Sequence, residues 1–293
     1  MSLKIAIHGK PFTGDTKSLM EQLWSNILSK NCDITLSDSF KTHLLSHDFE
    51  VDHIPAYSSL MGPQGVDMAW SIGGDGTLLE TLTHIGDKMI PILGINTGRL
   101  GFLATISPQE VSQALDFLIQ GNFRVEERSL VSVKSEVDLF ANQSFGLNEV
   151  GIMKTDTSSM IVIKAYVDGN YLNSYWADGL IVSTATGSTG YSLSVGGPLV
   201  MPGSDIFIIA PMSPHNLNVR PLVVSSDSQL RFEVSSRSQN FLISIDSRSK
   251  VLDSQFSIEV QKAVFPAKLI KIPGDDFLQT LRNKLNWGLD VRN

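Results

Sequence analysis

Gly73-Gly74-Asp75-Gly76-Thr77 sets three glycines and a carboxylate within four positions, between an apolar run and a helical pattern. Glycine lets the backbone adopt conformations closed to other residues and lets a ligand come close to it. A helix starting here would aim free N–H groups and the positive end of its dipole at that ligand, an arrangement suited to phosphate. Asp75 would repel phosphate. It fits better as a base for a sugar hydroxyl or as a group facing Mg²⁺. The same five residues also suit an ordinary tight turn with Asp75 as a helix cap. The chain contains no Gly-x-x-x-x-Gly-Lys-Ser/Thr, which excludes a P-loop, and no Gly-x-Gly-x-x-Gly opens its first helical segment.

Three further segments carry candidate chemistry. Gly94-Ile-Asn96-Thr-Gly98-Arg99-Leu-Gly101-Phe102 follows a strand pattern, so it is expected on the same sheet edge as the Asp75 turn. Arg99 supplies a cation there and Phe102 an aromatic face, although a phenylalanine is more often core. Asn148-Glu149 lies in the apolar stretch Phe145–Ile152, where polar groups must find partners or a ligand. Asp178 opens a strand that runs into five hydroxyl residues between Ser183 and Thr189, then Tyr191. That loop is expected to offer neutral donors and an aromatic platform for a base ring. His8, His43, His47, His53, His84 and His215 are scattered without metal-ligand spacing.

The elements that must position these residues fall into two patterns. Up to about residue 122, strand-like and helix-like segments alternate. Strands are expected at Leu3–His8, Ala69–Ile72 and Met89–Ile95. Leu19, Leu23 and Ile27 beside Met20, Trp24 and Leu28 form a helical face, and Leu78, Leu79, Leu82 and Ile85 form another. Ser107, Pro108 and Glu110 make a capping box before the stripe Val111, Ala114, Leu115, Leu118 and Ile119, closed by Gly121. Alternation of this kind implies a Rossmann-like α/β domain with a mostly parallel sheet. Beyond it, strand patterns recur at Ser129–Val133, Met160–Val167, Leu180–Ser183, Ile206–Ala210, Leu230–Val234, Phe241–Ile245 and Phe256–Val260, with Asp168-Gly169 as a hairpin turn. The expectation is an α/β domain over 1–122 and a β-sandwich over 123–271. Phe277, Leu278, Leu281 and Leu285 would form a final helix, in a segment 272–293 that returns to the first domain.

Lys plus Arg total 23 against 30 Asp plus Glu, a net charge of −7 over 293 residues. That balance speaks against binding a nucleic-acid backbone, while a small anion could still be held by a few local cations and amides. Hydrophobic residues at 42% can form a sizeable core, the single Cys32 excludes an intramolecular disulfide, and no apolar run reaches membrane-spanning length. MSLKIAIHGK leads directly into a strand pattern without a long apolar leader, and a cytoplasmic protein with no membrane partner is expected.

In this order, the four segments resemble the NAD kinase family. Gly73–Thr77 is similar to its GGDGT signature, Gly94–Phe102 to its GxNxGxLGF segment, Asn148-Glu149 to its Asn-Glu pair, and Asp178–Tyr191 to its DGxxxSTPTGSTAY stretch. Asp246 and Leu281-Arg282-Asn283-Lys284-Leu285-Asn286-Trp287-Gly288 also match. Three positions depart from the family pattern: Ala185 for the usual proline, Gly190 for alanine, and Ser247 for the glycine after Asp246. The resemblance implies Mg²⁺-dependent transfer of the ATP γ-phosphoryl group to the 2′-hydroxyl of the adenosine ribose of NAD. Asp75 would be the catalytic base. Gly76, Phe102, Asn148, Glu149, Asp178, Ser188, Thr189, Gly190, Tyr191 and Ser194 would bind NAD. Gly73, Gly74, Thr77, Asn96, Gly98, Arg99 and Arg248 would face ATP phosphates, with Mg²⁺ held mainly by the phosphates themselves. A homo-oligomer, dimer or tetramer, would share sites between subunits. The alternatives are a lipid kinase with the same GGDGT turn, which should carry a basic membrane-facing element that this sequence lacks, and a non-catalytic dinucleotide-binding regulator.

Overall fold

The computed structural model describes residues 2–12, 17–30, 32–135, 137, 139–141, 143–156 and 159–287. The chain divides into two compact units, Met1–Glu126 with Lys268–Asn293, and Glu127–Ala267.

In the first unit, β1 (Leu3–Gly9), α1 (Lys17–Leu28), β2 (Cys32–Ser37), α2 (Asp38–Leu45), β3 (Ala56–Tyr57), β4 (Met68–Gly73), α3 (Asp75–Ile85), β5 (Ile92–Asn96), α4 (Val111–Ile119) and β6 (Arg124–Arg128) follow in order. The second unit comprises β7 (Val131–Lys134), β8 (Phe145–Gly146), β9 (Glu149–Met153), β10 (Ile161–Val167), β11 (Asn170–Ala177), β12 (Gly179–Thr184), α5 (Tyr191–Ser194), β13 (Ile206–Met212), β14 (Leu222–Ser225), β15 (Leu230–Ser235), β16 (Asn240–Ile245), β17 (Arg248–Asp253) and β18 (Ser257–Lys262). The chain then forms β19 (Ala267–Lys271) and α6 (Phe277–Leu285).

The sheet of the first unit has the order β3-β2-β1-β4-β5-β19-β6, and β3, β2, β1, β4, β5 and β19 pair in parallel. β4 and β5 are buried at every residue, as continuous apolar runs covered on both faces must be. Ile7, Trp70, Leu93 and Ile95 share a core with Leu23 and Ile27 of α1 and Ala114 and Leu115 of α4. The capping box at Ser107 and Glu110 forms as expected, preceding α4 by one 3₁₀ turn. Three local expectations are corrected. Leu28 and Ile119 end their helices exposed rather than on the buried stripe, because the last residue of each helix has rotated past the face in contact with the sheet. The strand expected from Met89 begins at Ile92, since Gly86–Lys88 makes a 3₁₀ turn that leaves Met89 left-handed with φ 52°.

The second unit is a sandwich of two six-stranded sheets, β11-β10-β15-β18-β7-β8 and β14-β13-β12-β9-β16-β17, with antiparallel neighbours. Phe232, Ile163 and Val260 from one sheet and Phe207, Val182 and Phe241 from the other form its core. Asp168 and Gly169 turn the β10–β11 hairpin with φ of 50° and 79°, the doubly left-handed geometry of a type I′ turn. The strand expected at Ser129–Val133 starts two residues later, at Val131.

Candidate functional site

β4 delivers the chain to Gly73, Gly74 caps α3 without a side-chain bond, and Asp75 is the first helical residue. A Cβ placed at Gly74 or Gly76 would meet no heavy atom within 4 Å, so the outer side of the turn is open to a ligand. Asp75 is not a free carboxylate in solvent. Its Oδ2 accepts the N–H of Phe102 at 2.8 Å, and its Oδ1 accepts those of Leu103 and Ala104 at 3.0 Å each. The acid therefore clasps the following glycine-rich loop. Gly101 is needed at that loop because a Cβ there would lie 2.0 Å from Asp75 Oδ1.

Asn96, almost fully buried at the end of β5, organises the same loop from inside. Its Nδ2 donates to Arg99 O at 2.6 Å and Ala104 O at 3.3 Å, while its Oδ1 accepts from Gly98 N at 2.7 Å. Its amide is thus engaged by the protein, as a buried polar group must be. Arg99 and Gly98 are exposed, and Thr77 is buried. Phe102 is half-buried, with its ring 6.3 Å from that of Phe277 on α6 and 5.5 Å from Lys284 Nζ. Gly288, expected to end the α6 motif, lies outside the described residues.

A second clasp of the same form lies in the second unit. Asp246, left-handed with φ 50°, accepts the N–H groups of Leu147 at 2.9 Å, Asn148 at 2.9 Å and Glu149 at 3.1 Å. Its burial raises the carboxyl above the ordinary range, against the lowering effect of those amides and of Arg248. Glu149 is half-buried, and its Oε2 is inaccessible and without a hydrogen-bond partner. Desolvation, with the Asp246 charge second, pushes its carboxyl up to about 7, although the backbone amides of Ser192 and Tyr191 pull the other way. A carboxyl that titrates near neutrality beside a loop is the kind of group found at functional sites.

The hydroxyl-rich loop departs from its expected role. Ser183 Oγ donates to Asn148 O, Thr184 Oγ1 to Leu147 O at 2.6 Å, Ser188 Oγ to Val200 O and Thr189 Oγ1 to Thr186 O, while Thr186 accepts from Arg128. The hydroxyls brace the Leu147–Glu149 segment and their own turn instead of pointing donors outward, because Ser183, Thr184, Thr186 and Ser188 are buried and must be satisfied internally. Gly187 belongs to this bracing, since a Cβ there would sit 2.1 Å from Asn148 O. Tyr191 and Ser194 are exposed, leaving the tyrosine ring available as a platform. Gly190 is half-buried, and Asp178 pairs with Lys154 Nζ at 2.6 Å.

Arg248 also departs from expectation. Its guanidinium donates to the backbone carbonyls of Gln143 and Phe145 and lies over the rings of Phe140 and Phe145, at 5.8 and 5.7 Å. It anchors the chain ahead of Asn148 instead of standing free for phosphate. The sequence named Asp246 without a role; its position at the end of the apolar strand β16 was the available signal, since a carboxylate there must find donors.

Residues 5–123 match the ATP-NAD kinase N-terminal domain and residues 147–272 match the ATP-NAD kinase C-terminal domain. The chain is 46% identical to an NAD kinase of Cytophaga hutchinsonii, over 98% of this chain and 99% of that protein. With an NAD kinase of Flavobacterium psychrophilum it shares 39% identity, over 99% of this chain and 100% of the relative. Among solved structures it resembles an NAD kinase from Archaeoglobus fulgidus in complex with ATP, with TM-score 0.72 and 26% identity over 97% of this chain and 98% of that one. Yeast NADH kinase complexed with NADH shares the fold, with TM-score 0.86 and 22% identity over 99% and 89% of the two chains. The α/β domain with its glycine turn and the antiparallel sandwich with its clasped Asn-Glu segment define a two-domain kinase. The chain belongs to the NAD kinase family.

Proposed function

We propose that this protein transfers the γ-phosphoryl group of ATP to the 2′-hydroxyl of the adenosine ribose of NAD, giving NADP and ADP. The observation that carries the reading is the state of Asp75. A carboxylate has about four lone-pair positions, and three backbone N–H groups occupy two on Oδ1 and one on Oδ2. One acceptor position remains, on Oδ2. A ribose hydroxyl bonded there would be oriented by a rigidly held base.

In the reaction, the 2′-oxygen gives its proton to Asp75, forms the new bond to the γ-phosphorus, and the bond from that phosphorus to the β,γ-bridging oxygen breaks to release ADP. Such a transfer needs positioning and charge neutralisation more than covalent chemistry. The backbone at Gly73, Gly74 and Thr77, with exposed Gly98 and Arg99, suits the phosphates, while Asn96 shapes the loop that holds them. Gly76, Phe102, Asn148, Glu149, Asp178, Gly190, Tyr191 and Ser194 are assigned to NAD, with the Tyr191 ring as the base platform. Ser188 and Thr189 act by fixing the backbone around that ring.

Mg²⁺ takes hard oxygen ligands and keeps several waters. Asp75 and Asp246 each have three amide donors on their carboxylates, so these residues fit a metal carried by the nucleotide phosphates better than a cage built by the protein. When bound there, the ion neutralises charge on the transferring group. A cytoplasmic homo-oligomer completes the proposal, and no helix of the described residues is long and apolar enough to cross a membrane. Light scattering on the purified protein reads the assembly. The activity itself is read by supplying NAD, ATP and Mg²⁺ and detecting NADP with an NADP-specific dehydrogenase. Steady NADP production supports the proposal, and nucleotide binding without any NADP refutes it.

A further inference from the structure

Three residues far apart in sequence or one helical turn apart meet in the first unit. His8 is the last residue but one of β1, whereas Glu80 and His84 lie four apart on one face of α3. The possible ligand atoms of these three side chains all lie within 4.8 Å of one another. His8 and His84 are only 2% and 6% exposed, and their rings meet edge to face at 4.5 Å. His84 Nδ1 is buried without a hydrogen-bond partner, and the buried His8 Nε2 has only a long contact, 3.4 Å, to the Glu80 carboxylate. Leaving a buried imidazole nitrogen unsatisfied and its neighbour weakly engaged is costly, and the deficit calls for an occupant.

The geometry points to a divalent transition-metal site of the zinc type, formed by His8 Nε2, His84 Nδ1 and the Glu80 carboxylate. His8 Nε2 lies 3.4 Å from Glu80 Oε2. Tetrahedral ligands at the usual zinc distances of about 2.0–2.1 Å stand roughly 3.3 Å apart, so this pair is already spaced as neighbouring ligands. The outer ring atom is set as well. His8 Nδ1 is 2.8 Å from Ser37 Oγ, and donation of the Nδ1 proton to that hydroxyl leaves the Nε2 lone pair facing the cluster. Glu80 is more than half exposed, which gives an ion an entry path and leaves the fourth position to water.

Two imidazoles and one carboxylate select zinc or a similar ion over Mg²⁺ and Ca²⁺, which favour oxygen alone. The site is therefore separate in chemistry from the magnesium that accompanies ATP. It ties α3, whose first residue is Asp75, to β1, and through Ser37 to the start of α2.

The test uses the full-length protein without an affinity tag, stripped by chelator and titrated calorimetrically with zinc, with cobalt as a spectroscopic substitute. One zinc per chain, the intense visible bands of four-coordinate cobalt, and a zinc-dependent rise in Tm are expected. Glu80→Gln, a change at a mostly exposed side chain, and His84→Gln should both abolish binding. Ser37→Ala should weaken it roughly 10–100-fold by freeing the His8 ring. His47→Gln serves as a control for the neighbouring His43–His47 pair, whose rings are 4.2 Å apart, and should leave binding intact. Failure of the folded wild type to take up zinc, binding that survives Glu80→Gln, or binding that disappears in His47→Gln overturns the assignment.

Discussion

Replacing Glu149 with Gln should make the protein more stable at neutral pH than it is now. In the folded chain the carboxyl is pushed from its ordinary 4.5 up to about 7, chiefly by desolvation and then by the Asp246 charge. Between those two values the folded chain holds more protons than the unfolded chain. Stability must then fall as pH rises through that window, and the loss persists above it. At about 1.4 kcal/mol for each tenfold change in proton affinity, the interval from 4.5 to about 7 is worth about 3 kcal/mol. That is a ceiling on what the substitution can recover. Glutamine keeps the shape of the side chain and cannot ionise. The gain of Glu149→Gln over wild type should therefore be small below pH 4.5, grow steadily to pH 7, and level off at up to about 3 kcal/mol. Urea denaturation of both proteins at half-unit steps from pH 4 to 8.5 reads the difference directly. A stability difference that stays flat across that range, or that shrinks as pH rises, would refute the burial argument for this residue.

Other changes follow from the two clasps. Gly101→Ala should cost about 1–3 kcal/mol by overpacking, since its Cβ would fall 2.0 Å from Asp75 Oδ1; a lower urea midpoint with reduced NADP formation would show it. Asp246→Asn keeps one oxygen but turns an amide nitrogen toward a backbone donor, costing about 1–3 kcal/mol. Hydrogen exchange should then quicken at Leu147, Asn148 and Glu149, the three amides Asp246 holds. Ala185→Pro should stabilise by about 0.4–1 kcal/mol, because Ala185 has φ −57° and follows the extended residue Thr184. A rise in Tm checks it.

Much of this architecture could be read from the chain. The parallel sheet announces itself through short, mostly apolar runs followed by helical stripes, and the sandwich through the loss of helical period after Gly121. The stretch 30–64 carries no clear periodicity, because β2 and α2 are only six and eight residues long and share Ser37 as their junction. The four chemical segments were visible as residue types, yet the partners within them were not. Nothing in a linear sequence shows that Asp75 faces the amides of Phe102–Ala104, or that Asp246 crosses nearly a hundred positions to hold Asn148. Hydroxyl density at Ser183–Thr189 suggested ligand donors, but buried hydroxyls had to satisfy nearby carbonyls first. His8 and His84 likewise look scattered until the sheet and α3 bring them together.

The most direct measurement compares wild type with Asp75→Asn for both turnover and NAD binding. Asparagine retains Oδ1, with its two amide donors, gives up the acceptor that holds Phe102 N–H, and cannot take a proton. The account predicts a fall in kcat of about 10²–10⁴-fold with a much smaller change in the Kd for NAD. An unchanged turnover rate, or a loss explained wholly by weaker NAD binding, would contradict the role of Asp75 as the base.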